Sequence, residues 1–393
     1  MLNEKQQKGL EIAVDRYNQG YKYTTIAGYA GTGKSFLVKV IVQALGLDPE
    51  TDVCFATFTG KAAQVLIDRG NKNCMTLHKL LYKATRLPNG KFIYKPVDGI
   101  PYKLIIVDEV SMTPASMLDE LFKHHCHVIM LGDPFQLPVI NKKDSHDFLD
   151  YPHIFLDEIM RQEAKSGIIT LSMKIREYQN YRSFDSEDAV VFSKDKLNNN
   201  LLLWADIILT ATNKTRIAVN TAVRRLLGKE SYIDEGDKLI NLHNEWEKLS
   251  SNDNPLTNGV IGYLTNIYES YVPFPERIGV QGNKVDVICG DFISETGENF
   301  GSVQIDKKCL ITGEPTLTPR QKYLISRDIK LKDTMPFEMT YGYCVTGHKA
   351  QGASWPKVLV LEENFPSARE EHARWLYTAC TRSEKKCVII SNK

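Results

Sequence analysis

Residues 24–37 read TTIAGYAGTGKSFL, and this stretch decides how the chain folds. An apolar, β-branched segment leads into residues 28–35, and a helical pattern follows over residues 36–45. The sequence therefore predicts a strand, a phosphate-binding loop and a helix, in that order. An ordinary glycine-rich turn is the alternative, but such a turn does not call for a strand before it and a helix after it.

The residues of this loop have the chemistry that a nucleoside triphosphate requires. Glycines let the backbone turn tightly enough for its N–H groups to surround the phosphates, and the N-terminal end of the next helix attracts the same anion. We expect Lys34 to reach the β- and γ-phosphates and the Ser35 hydroxyl to bind Mg²⁺. The predicted contacts with ATP are Gly28, Gly31, Thr32, Gly33, Lys34 and Ser35.

Composition is that of a globular protein with room for several domains. Of the 393 residues, 42% are hydrophobic and 25% are charged, which fits about two to four domains. The net charge is only +1, because 49 Lys and Arg stand against 48 Asp and Glu. This balance excludes a nucleic-acid binder that is basic throughout, but a local basic groove is still compatible with it.

Cysteine usage and hydropathy point to the cytoplasm. The eight cysteines form no CxxC pair, so we expect free thiols in a reducing compartment. No apolar run approaches the ~20 residues that cross a bilayer, and the start, MLNE, does not begin a signal peptide. We therefore expect a soluble intracellular protein.

The segment before the phosphate loop offers a residue for the adenine base. Residues 2–17 alternate polar and apolar side chains at helical spacing, and Gln6 lies within them. A glutamine amide can pair with both the N6 donor and the N7 acceptor of adenine. A solvated helix residue is the alternative interpretation of Gln6.

Two later apolar strands end in polar residues suited to hydrolysis. Residues 104–107 precede Asp108 and Glu109, and residues 128–131 lead into a loop that holds Gln136. Because strand tips of a parallel sheet face the phosphate site, we expect Asp108 to hold Mg²⁺ through water and Glu109 to polarise the attacking water. Gln136 is expected to detect the γ-phosphate, whereas a solvated acidic turn is the alternative for the two carboxylates.

Antiparallel structure is predicted in two places. Between residues 87 and 102, Asn89-Gly90 signals a short hairpin that carries Phe92 and Tyr94. From about residue 236 to 334 the pattern changes to short alternating segments separated by Gly, Asn and Pro. We expect a small antiparallel barrel there, inserted into a second α/β domain.

A histidine-rich stretch resembles a metal site only superficially. Residues 124–127 read HHCH, but contiguous residues project in different directions and no second ligand cluster is evident. We therefore expect no zinc site here.

Nine motifs in order resemble those of the superfamily 1 helicases, and within them the 1B branch of RecD-like and Dda-like DNA helicases. The motifs are LNEKQ, GYAGTGKS, TGKAA, TLHKLL, DEVSM, GDPFQLPVI, LDEIMRQ, VTGHKAQG and YTACTR. The resemblance covers nearly the whole chain. It departs from the family at Phe58, where proline is usual, and at Ala350, where serine is usual.

The resemblance implies an α/β fold of two RecA-like P-loop NTPase domains that face each other across ATP. A small β-hairpin would be inserted in the first domain and an SH3-like β-barrel in the second. The implied domains are 1A (1–80 and 101–156), 1B (81–100), 2A (157–236 and 336–393) and 2B (237–335). Arg161 and Arg382 would be arginine fingers that neutralise charge at the γ-phosphate, and Gly352 would join the nucleotide site. A surface salt bridge is the alternative role for either arginine.

Single-stranded DNA would lie across the tops of both domains in such a helicase. The residues implied on the first domain are Phe58, Thr59, Lys61 and His78, and those on the second are Thr346, His348 and Lys349. His78 would stack on a base, and Phe92 or Tyr94 would form the pin that separates the strands. The alternatives are a core histidine and ordinary aromatic partners within a hairpin.

The resemblance thus implies a phage-type, ATP- and Mg²⁺-dependent DNA helicase that moves 5′ to 3′ on single-stranded DNA and opens forked duplex DNA. A single-strand-binding protein or a replisome component would be a further partner, and the default oligomeric state is a monomer. The rivals are a viral-type RNA helicase, a P-loop nucleic-acid-binding module without catalysis, and a metal-dependent nuclease, which the lack of a further carboxylate cluster weakens.

Overall fold

The computed structural model describes residues 2–86, 92–138, 144–160, 165–251 and 254–392, without the side chains of residues 84–86, 92–94 and 246. The chain forms two compact units. The first comprises Met1–Leu197 with Ala350–Lys393, and the second comprises Asn198–Lys349. No helix among the described residues is long and apolar enough to cross a membrane.

The first unit is built on a parallel sheet. Its strands are β1 (Tyr23–Gly28), β2 (Val53–Thr57), β3 (Cys74–Thr76), β6 (Leu104–Val107), β7 (His127–Gly132) and β8 (Ile154–Leu156). They lie in the order β3-β2-β6-β7-β1-β8, and each neighbouring pair is parallel. The predicted α/β fold with parallel strands is confirmed.

Helices cover both faces of this sheet. They are α1 (Glu4–Asn18), α2 (Lys34–Ala44), α3 (Gly60–Asp68), α4 (Leu77–Leu81) and α5 (Ala115–Leu121). One apolar core joins α1 and α2 to the sheet, and the other joins α4 and α5 to its opposite face. Burial on both faces explains why residues 104–107 are apolar without alternation, since each is fully buried.

An antiparallel strand pair lies between α4 and β6 in the chain. It consists of β4 (Tyr82–Arg86) and β5 (Phe92–Pro96). Residues 87–91, which contain the predicted Asn89-Gly90 turn, lie outside the described residues.

A further parallel ladder completes the first unit. Strands β9 (Ala189–Ser193), β19 (Trp355–Leu361) and β20 (Ser383–Ser391) pair in the order β19-β20-β9. Helices α6 (Gly167–Arg176) and α11 (Arg369–Cys380) belong to the same unit and contact each other. Residues 375–380 of α11 are all buried, so this helix is an internal element of the unit.

Among its described residues, the second unit contains a short parallel pair of strands and four α-helices. Strands β10 (Ile207–Thr210) and β18 (Cys344–Thr346) are parallel neighbours. The helices are α7 (Asn199–Trp204), α8 (Asn213–Leu226), α9 (Lys307–Thr312) and α10 (Pro319–Arg327). At the end of α8, the buried Arg224 guanidinium donates to the fully buried Asp237 carboxylate (2.9 Å from Nη2).

An antiparallel sheet also belongs to the second unit. Its strands are β11 (Lys238–Asn241), β14 (Ile261–Pro273), β15 (Lys284–Ser294), β16 (Asn299–Asp306) and β17 (Met339–Tyr341), in the order β16-β15-β14-β11-β17. Strands β12 (Glu245–Leu249) and β13 (Pro255–Leu256) form a separate pair. A bridge between Ile305 and Phe337 brings β16 next to the segment that leads into β17.

Candidate nucleotide and nucleic-acid site

Sheet order brings the predicted site residues to one edge of the first unit. Because the strands are parallel, their carboxyl ends share that edge. Across it, β3 leads to His78, β2 to Thr59, β6 to Asp108, β7 to Gln136 and β1 to Lys34. The edge therefore joins two groups of predicted residues, one for a nucleotide and one for nucleic acid.

The phosphate loop needs glycine at positions where a Cβ would clash with neighbouring atoms or where the backbone φ is positive. A Cβ on Gly28 would lie 2.8 Å from both the Leu156 carbonyl oxygen and the Thr32 hydroxyl. Gly33 has a φ of +80°, and a Cβ there would collide with Met160 Sδ. Gly31 has a φ of +76°, a region that favours glycine. Glycine at these positions therefore permits the tight conformation of the loop.

Lys34 lies over the loop that it follows. Its Nζ donates to the carbonyl oxygens of Gly28 (2.6 Å) and Tyr29 (3.0 Å). Ser35 is exposed in the first turn of α2. An ammonium held by carbonyl oxygens of its own loop can exchange these partners for phosphate oxygens, so Lys34 and Ser35 fit a triphosphate with Mg²⁺.

Gln6 is buried beside the phosphate loop, with only 1% of its surface exposed. Its amide nitrogen donates to the Thr32 carbonyl oxygen (3.1 Å), and its amide oxygen accepts from the Asn3 N–H (3.1 Å). Asn3 and Gln6 together form a capping box at the start of α1. Gln6 is therefore next to the nucleotide loop, and its predicted contact with adenine stays a prediction.

Two adjacent carboxylates stand at the tip of β6. The Glu109 N–H donates to Asp108 Oδ1 (2.9 Å), and the Glu109 backbone has a φ of +54°. Burial, and next the charge of Glu109, raise the pKa of Asp108 from 3.8 to about 6. A partly buried carboxylate in this state is stabilised in its charged form by a divalent cation, so Asp108 fits the predicted Mg²⁺.

Gln136 belongs to a short loop, residues 133–138, that we call the sensor loop. The Gln136 N–H donates to the Asp133 carbonyl oxygen (3.2 Å). Gln136 Oε1 is buried and finds no hydrogen-bond donor among the described residues. A buried amide oxygen without a donor in the protein can accept a hydrogen bond from a ligand.

Arg382 reaches the same site from the turn after α11. Its Nη1 lies 3.8 Å from Glu109 Oε1, while its Nε donates to the Thr378 carbonyl oxygen (3.1 Å). The side chain is buried, with 5% of the residue exposed. Arg382 and Glu109 are therefore neighbours, whereas the predicted partner Arg161 lies outside the described residues.

Helix α11 contributes two residues to which the sequence assigned no role. The Tyr377 hydroxyl donates to Asp133 Oδ2 (2.5 Å) and accepts from the Ala30 N–H (2.9 Å). Thr378 Oγ1 accepts from the Leu137 N–H (3.1 Å). The one available signal was a Tyr-Thr pair inside an otherwise apolar helical run, residues 375–380.

Aromatic rings line the predicted nucleic-acid half of the edge. The His78 ring lies near those of Phe58 (centroids 6.2 Å apart) and Tyr82 (6.0 Å apart). Burial lowers the pKa of His78 to about 4, so its ring is neutral at physiological pH. A neutral ring close to other aromatic rings is suited to stack with bases.

Thr59 and Lys61 lie at the start of α3. Thr59 Oγ1 accepts from the Ala62 N–H (3.2 Å) and caps the helix, and Lys61 Nζ lies 3.8 Å from the centroid of the Trp355 ring. Gly352 has a φ of +69°, and a Cβ there would lie 2.9 Å from Thr59 Oγ1. Gly352 is thus placed against the predicted nucleic-acid residues, and its predicted role in nucleotide binding stays untested.

The other three residues predicted to contact DNA lie in the second unit, at the end of β18. Thr346 ends the strand, and His348 and Lys349 lie in the following helical turn. Lys349 Nζ donates to Asn258 Oδ1 (2.6 Å), and burial lowers the pKa of this lysine to about 8. Burial also lowers the pKa of His348.

The remaining predicted residues are Phe92, Tyr94 and the histidine-rich stretch. Phe92 and Tyr94 belong to β5, but their side chains lie outside the described part of the structure. His127 hydrogen-bonds through its two ring nitrogens to Thr24 Oγ1 (3.0 Å) and the Tyr21 carbonyl oxygen (2.7 Å). In the described ranges no three His, Cys, Asp or Glu residues are grouped to hold a metal ion.

Two family models match the chain. A model described as an AAA domain matches residues 1–190, and the UvrD-like helicase C-terminal domain matches residues 341–390. The two matches include most of the residues discussed above.

Curated relatives include ATP-dependent DNA helicases. The ATP-dependent RecD2 DNA helicase of Deinococcus radiodurans is 26% identical over 93% of this chain and 46% of its own. The ATP-dependent DNA helicase dda of Enterobacteria phage T4 is 25% identical over 57% of both chains. The chain thus spans about half the length of these relatives.

Among solved structures, Bacteroides Pif1 bound to ssDNA matches the fold. It is 18% identical, with a TM-score of 0.52 over 100% of this chain and 92% of that one. At this identity the match concerns the fold alone, and it agrees with the parallel sheets described above.

Proposed function

We propose that this protein is an ATP-dependent DNA helicase of superfamily 1B, because it is similar in sequence to the RecD2 and Dda DNA helicases. It moves 5′ to 3′ on single-stranded DNA and separates the strands of forked duplex DNA. ATP and Mg²⁺ are required for both activities.

The observation that carries this proposal is the arrangement of Glu109. This carboxylate follows Asp108 at a strand tip and lies 3.8 Å from the Arg382 guanidinium. An acid next to an arginine, at the edge that also carries Lys34, supplies both a base for water and a cation for the phosphate. A binding module without catalysis has no chemical need for that combination.

Each residue of the nucleotide site has one task in hydrolysis. Lys34 leaves the carbonyl oxygens of its own loop and binds the β- and γ-phosphates. Glu109 orients the attacking water and accepts its proton, while Gln136 contacts the γ-phosphate. Ser35 and Asp108 would hold Mg²⁺, which neutralises charge on the phosphate oxygens. Arg382, joined by Arg161, stabilises the charge that develops during transfer.

The same strand edge grips the DNA. Thr59 and Lys61 contact phosphates at the start of α3, and His78 stacks on a base next to Phe58. Thr346, His348 and Lys349 form the grip of the second unit. Stacking is indifferent to base sequence, which suits a motor that must pass over any DNA.

We also infer the finer division of the chain into four domains. The antiparallel pair of β4 and β5 supports a hairpin insertion, domain 1B, with Phe92 or Tyr94 as the pin. The bridge between Ile305 and Phe337 supports closure of the antiparallel sheet into a barrel. Domain 2B, residues 237–335, would supply most of this barrel, and β17 would join it from domain 2A. RecA-like domains 1A and 2A contain the remaining ranges, 1–80 with 101–156 and 157–236 with 336–393.

Assembly and partners complete the proposal. The protein acts as a monomer on forked DNA, and a single-strand-binding protein or a replisome component is a further partner. Size-exclusion chromatography with light scattering, with and without a tailed duplex, tests the monomer, because a stable dimer would double the mass.

Unwinding of tailed duplexes tests the proposed activity and its direction. Equal duplexes with a 5′ tail, a 3′ tail or no tail are mixed with protein, ATP and Mg²⁺, and we expect strand separation only with the 5′ tail. Lys34→Ala should abolish unwinding, and Lys39→Ala, an exposed lysine on the same helix, should not. Unwinding of RNA duplexes in preference to DNA would contradict the proposal.

The pin is tested separately. Phe92→Ala should leave DNA-stimulated ATP hydrolysis intact and impair strand separation, since the pin acts on the duplex and not on the nucleotide. The same two measurements on Tyr94→Ala show which of the two aromatic residues is the pin. Equal loss of hydrolysis and unwinding would contradict the role of the pin.

A further inference from the structure

Tyr377 connects two loops that meet at the nucleotide site. Its ring is buried, with 1% of the residue exposed. Its hydroxyl accepts one hydrogen bond and donates another. It accepts from the Ala30 N–H of the phosphate loop and donates to the Asp133 carboxylate of the sensor loop. These partners are 347 and 244 residues away in sequence.

Asp133 in turn shapes the loop that presents Gln136. Its Oδ1 accepts from the Phe135 N–H (2.9 Å), and its carbonyl oxygen accepts from the Gln136 N–H (3.2 Å). The Phe135 ring meets the Tyr377 ring edge to face, with centroids 5.3 Å apart. Because the Tyr377 hydroxyl holds the Asp133 carboxylate, it also influences the turn that positions Gln136.

Other bonds fasten the sensor loop to helix α11 and its neighbourhood without reaching the phosphate loop. Arg374 Nη1 donates to the Pro134 carbonyl oxygen (2.8 Å), Thr378 Oγ1 accepts from the Leu137 N–H, and Gln351 Nε2 donates to the Leu137 carbonyl oxygen (2.5 Å). The loop is thus held at both ends. Tyr377 adds the connection to Ala30.

Lys34 and Tyr377 hold the same backbone segment. Lys34 Nζ occupies the carbonyl oxygens of Gly28 and Tyr29, and Tyr377 holds the next N–H, that of Ala30. When Lys34 binds phosphate, the Gly28 and Tyr29 carbonyl oxygens no longer accept hydrogen bonds from its ammonium group. The Tyr377 hydroxyl then holds the segment in register with the sensor loop.

We propose that Tyr377 is a positioning residue for ATP hydrolysis, whose hydroxyl ties the phosphate loop to Asp133 and thereby sets Gln136 against the γ-phosphate. The inference rests on the proposed ATP hydrolysis. Arg382 follows on the same chain segment and donates to the carbonyl oxygen of Thr378, the residue next to Tyr377. One helix therefore aligns the sensor loop and the arginine together.

The test is Tyr377→Phe, which removes the hydroxyl and retains the ring. In DNA-stimulated ATP hydrolysis, kcat should fall about 10- to 100-fold, because misplacement of reacting groups lowers the rate of the chemical step. KM for ATP and the affinity for single-stranded DNA should stay within about threefold of the unmodified protein, since the groups that bind them are unchanged.

A matched control separates positioning from stability. Tyr181 lies in the same unit, and its hydroxyl likewise donates to a buried carboxylate, Glu362 (2.8 Å). Tyr181→Phe should lower the melting temperature as Tyr377→Phe does, but it should leave kcat unchanged. An equal loss of kcat in both variants would reduce Tyr377 to a structural residue and overturn the proposal.

A double-mutant cycle with Asp133→Asn provides a second measure. If the hydroxyl acts through Asp133, the double variant should lose no more kcat than the more impaired single variant. Multiplicative losses would overturn the proposal, as would a Tyr377→Phe variant with normal kcat. If Tyr377→Phe does not fold, kcat of Asp133→Asn decides alone, and a value within twofold of the unmodified protein overturns it. If the unmodified protein itself hydrolyses no ATP with DNA, the proposed function fails as well.

Discussion

Asp108→Asn should make the protein more stable and inactive. Burial and the neighbouring Glu109 charge raise the pKa of Asp108, so the folded protein bears a cost for keeping this carboxylate ionised. Asparagine has nearly the same shape and retains an oxygen for the Glu109 N–H, but it carries no charge. Loss of the proposed Mg²⁺ ligand should remove ATP hydrolysis at the same time.

The size of the effect follows from the change in pKa between unfolded and folded chain. A rise from 3.8 to about 6 corresponds to about 3 kcal/mol of stability that is lost as the pH increases through this range. Asparagine avoids that loss. Its advantage over aspartate should therefore be largest above about pH 7 and should be about 1.4 kcal/mol smaller at about pH 5.

Urea unfolding in EDTA at pH 5 and pH 8 measures this difference. The control is Asp119→Asn, which changes an exposed carboxylate on α5 and should leave stability within about 0.5 kcal/mol at either pH. Adding Mg²⁺ and ATP should stabilise the unmodified protein and should have much less effect on Asp108→Asn. If Asp108→Asn is no more stable than the unmodified protein at pH 8, the assignment of a costly buried charge is refuted.

Three further outcomes follow from the site. Glu109→Gln should bind ATP and DNA while turnover falls about 10²- to 10⁴-fold, the range for a lost general base, and normal turnover in a steady-state assay would remove Glu109 from that role. His78→Ala should weaken single-stranded DNA binding by about 1–3 kcal/mol in a fluorescence titration, and His78→Phe should restore it; equal loss in both would exclude stacking. Because burial lowers the pKa of Lys349 to about 8, this lysine loses its charge as the pH rises from about 7 to 9. DNA affinity should fall over that range, and Lys349→Ala should not show this fall if Lys349 is its source.

The parallel sheet of the first unit was predictable because local sequence determines it. Val53–Thr57 and Leu104–Val107 are strands at the residues where the apolar runs occur. Strands buried on both faces leave such continuous runs, and the polar residues that follow mark the functional edge. The phosphate loop was predictable for the same reason, since its glycines and Lys34 lie within a few residues of one another in the sequence.

Contacts between distant parts of the chain were not predictable. Tyr377 lies within a quoted motif, but its role depends on Ala30 and Asp133, which only the folded chain brings to it. Gln6 is similar, because its bond to the Thr32 carbonyl oxygen cannot be inferred from helical spacing. Periodicity shows that a residue faces inward, and it does not identify the partner.

ATP hydrolysis with different nucleic acids tests the central claim most directly. The rate is measured with no nucleic acid, single-stranded DNA, single-stranded RNA and duplex DNA, at one moderate salt concentration because backbone binding depends on salt. We predict strong stimulation by single-stranded DNA and little by the others. Stimulation chiefly by RNA, or none by any of them, would contradict the account.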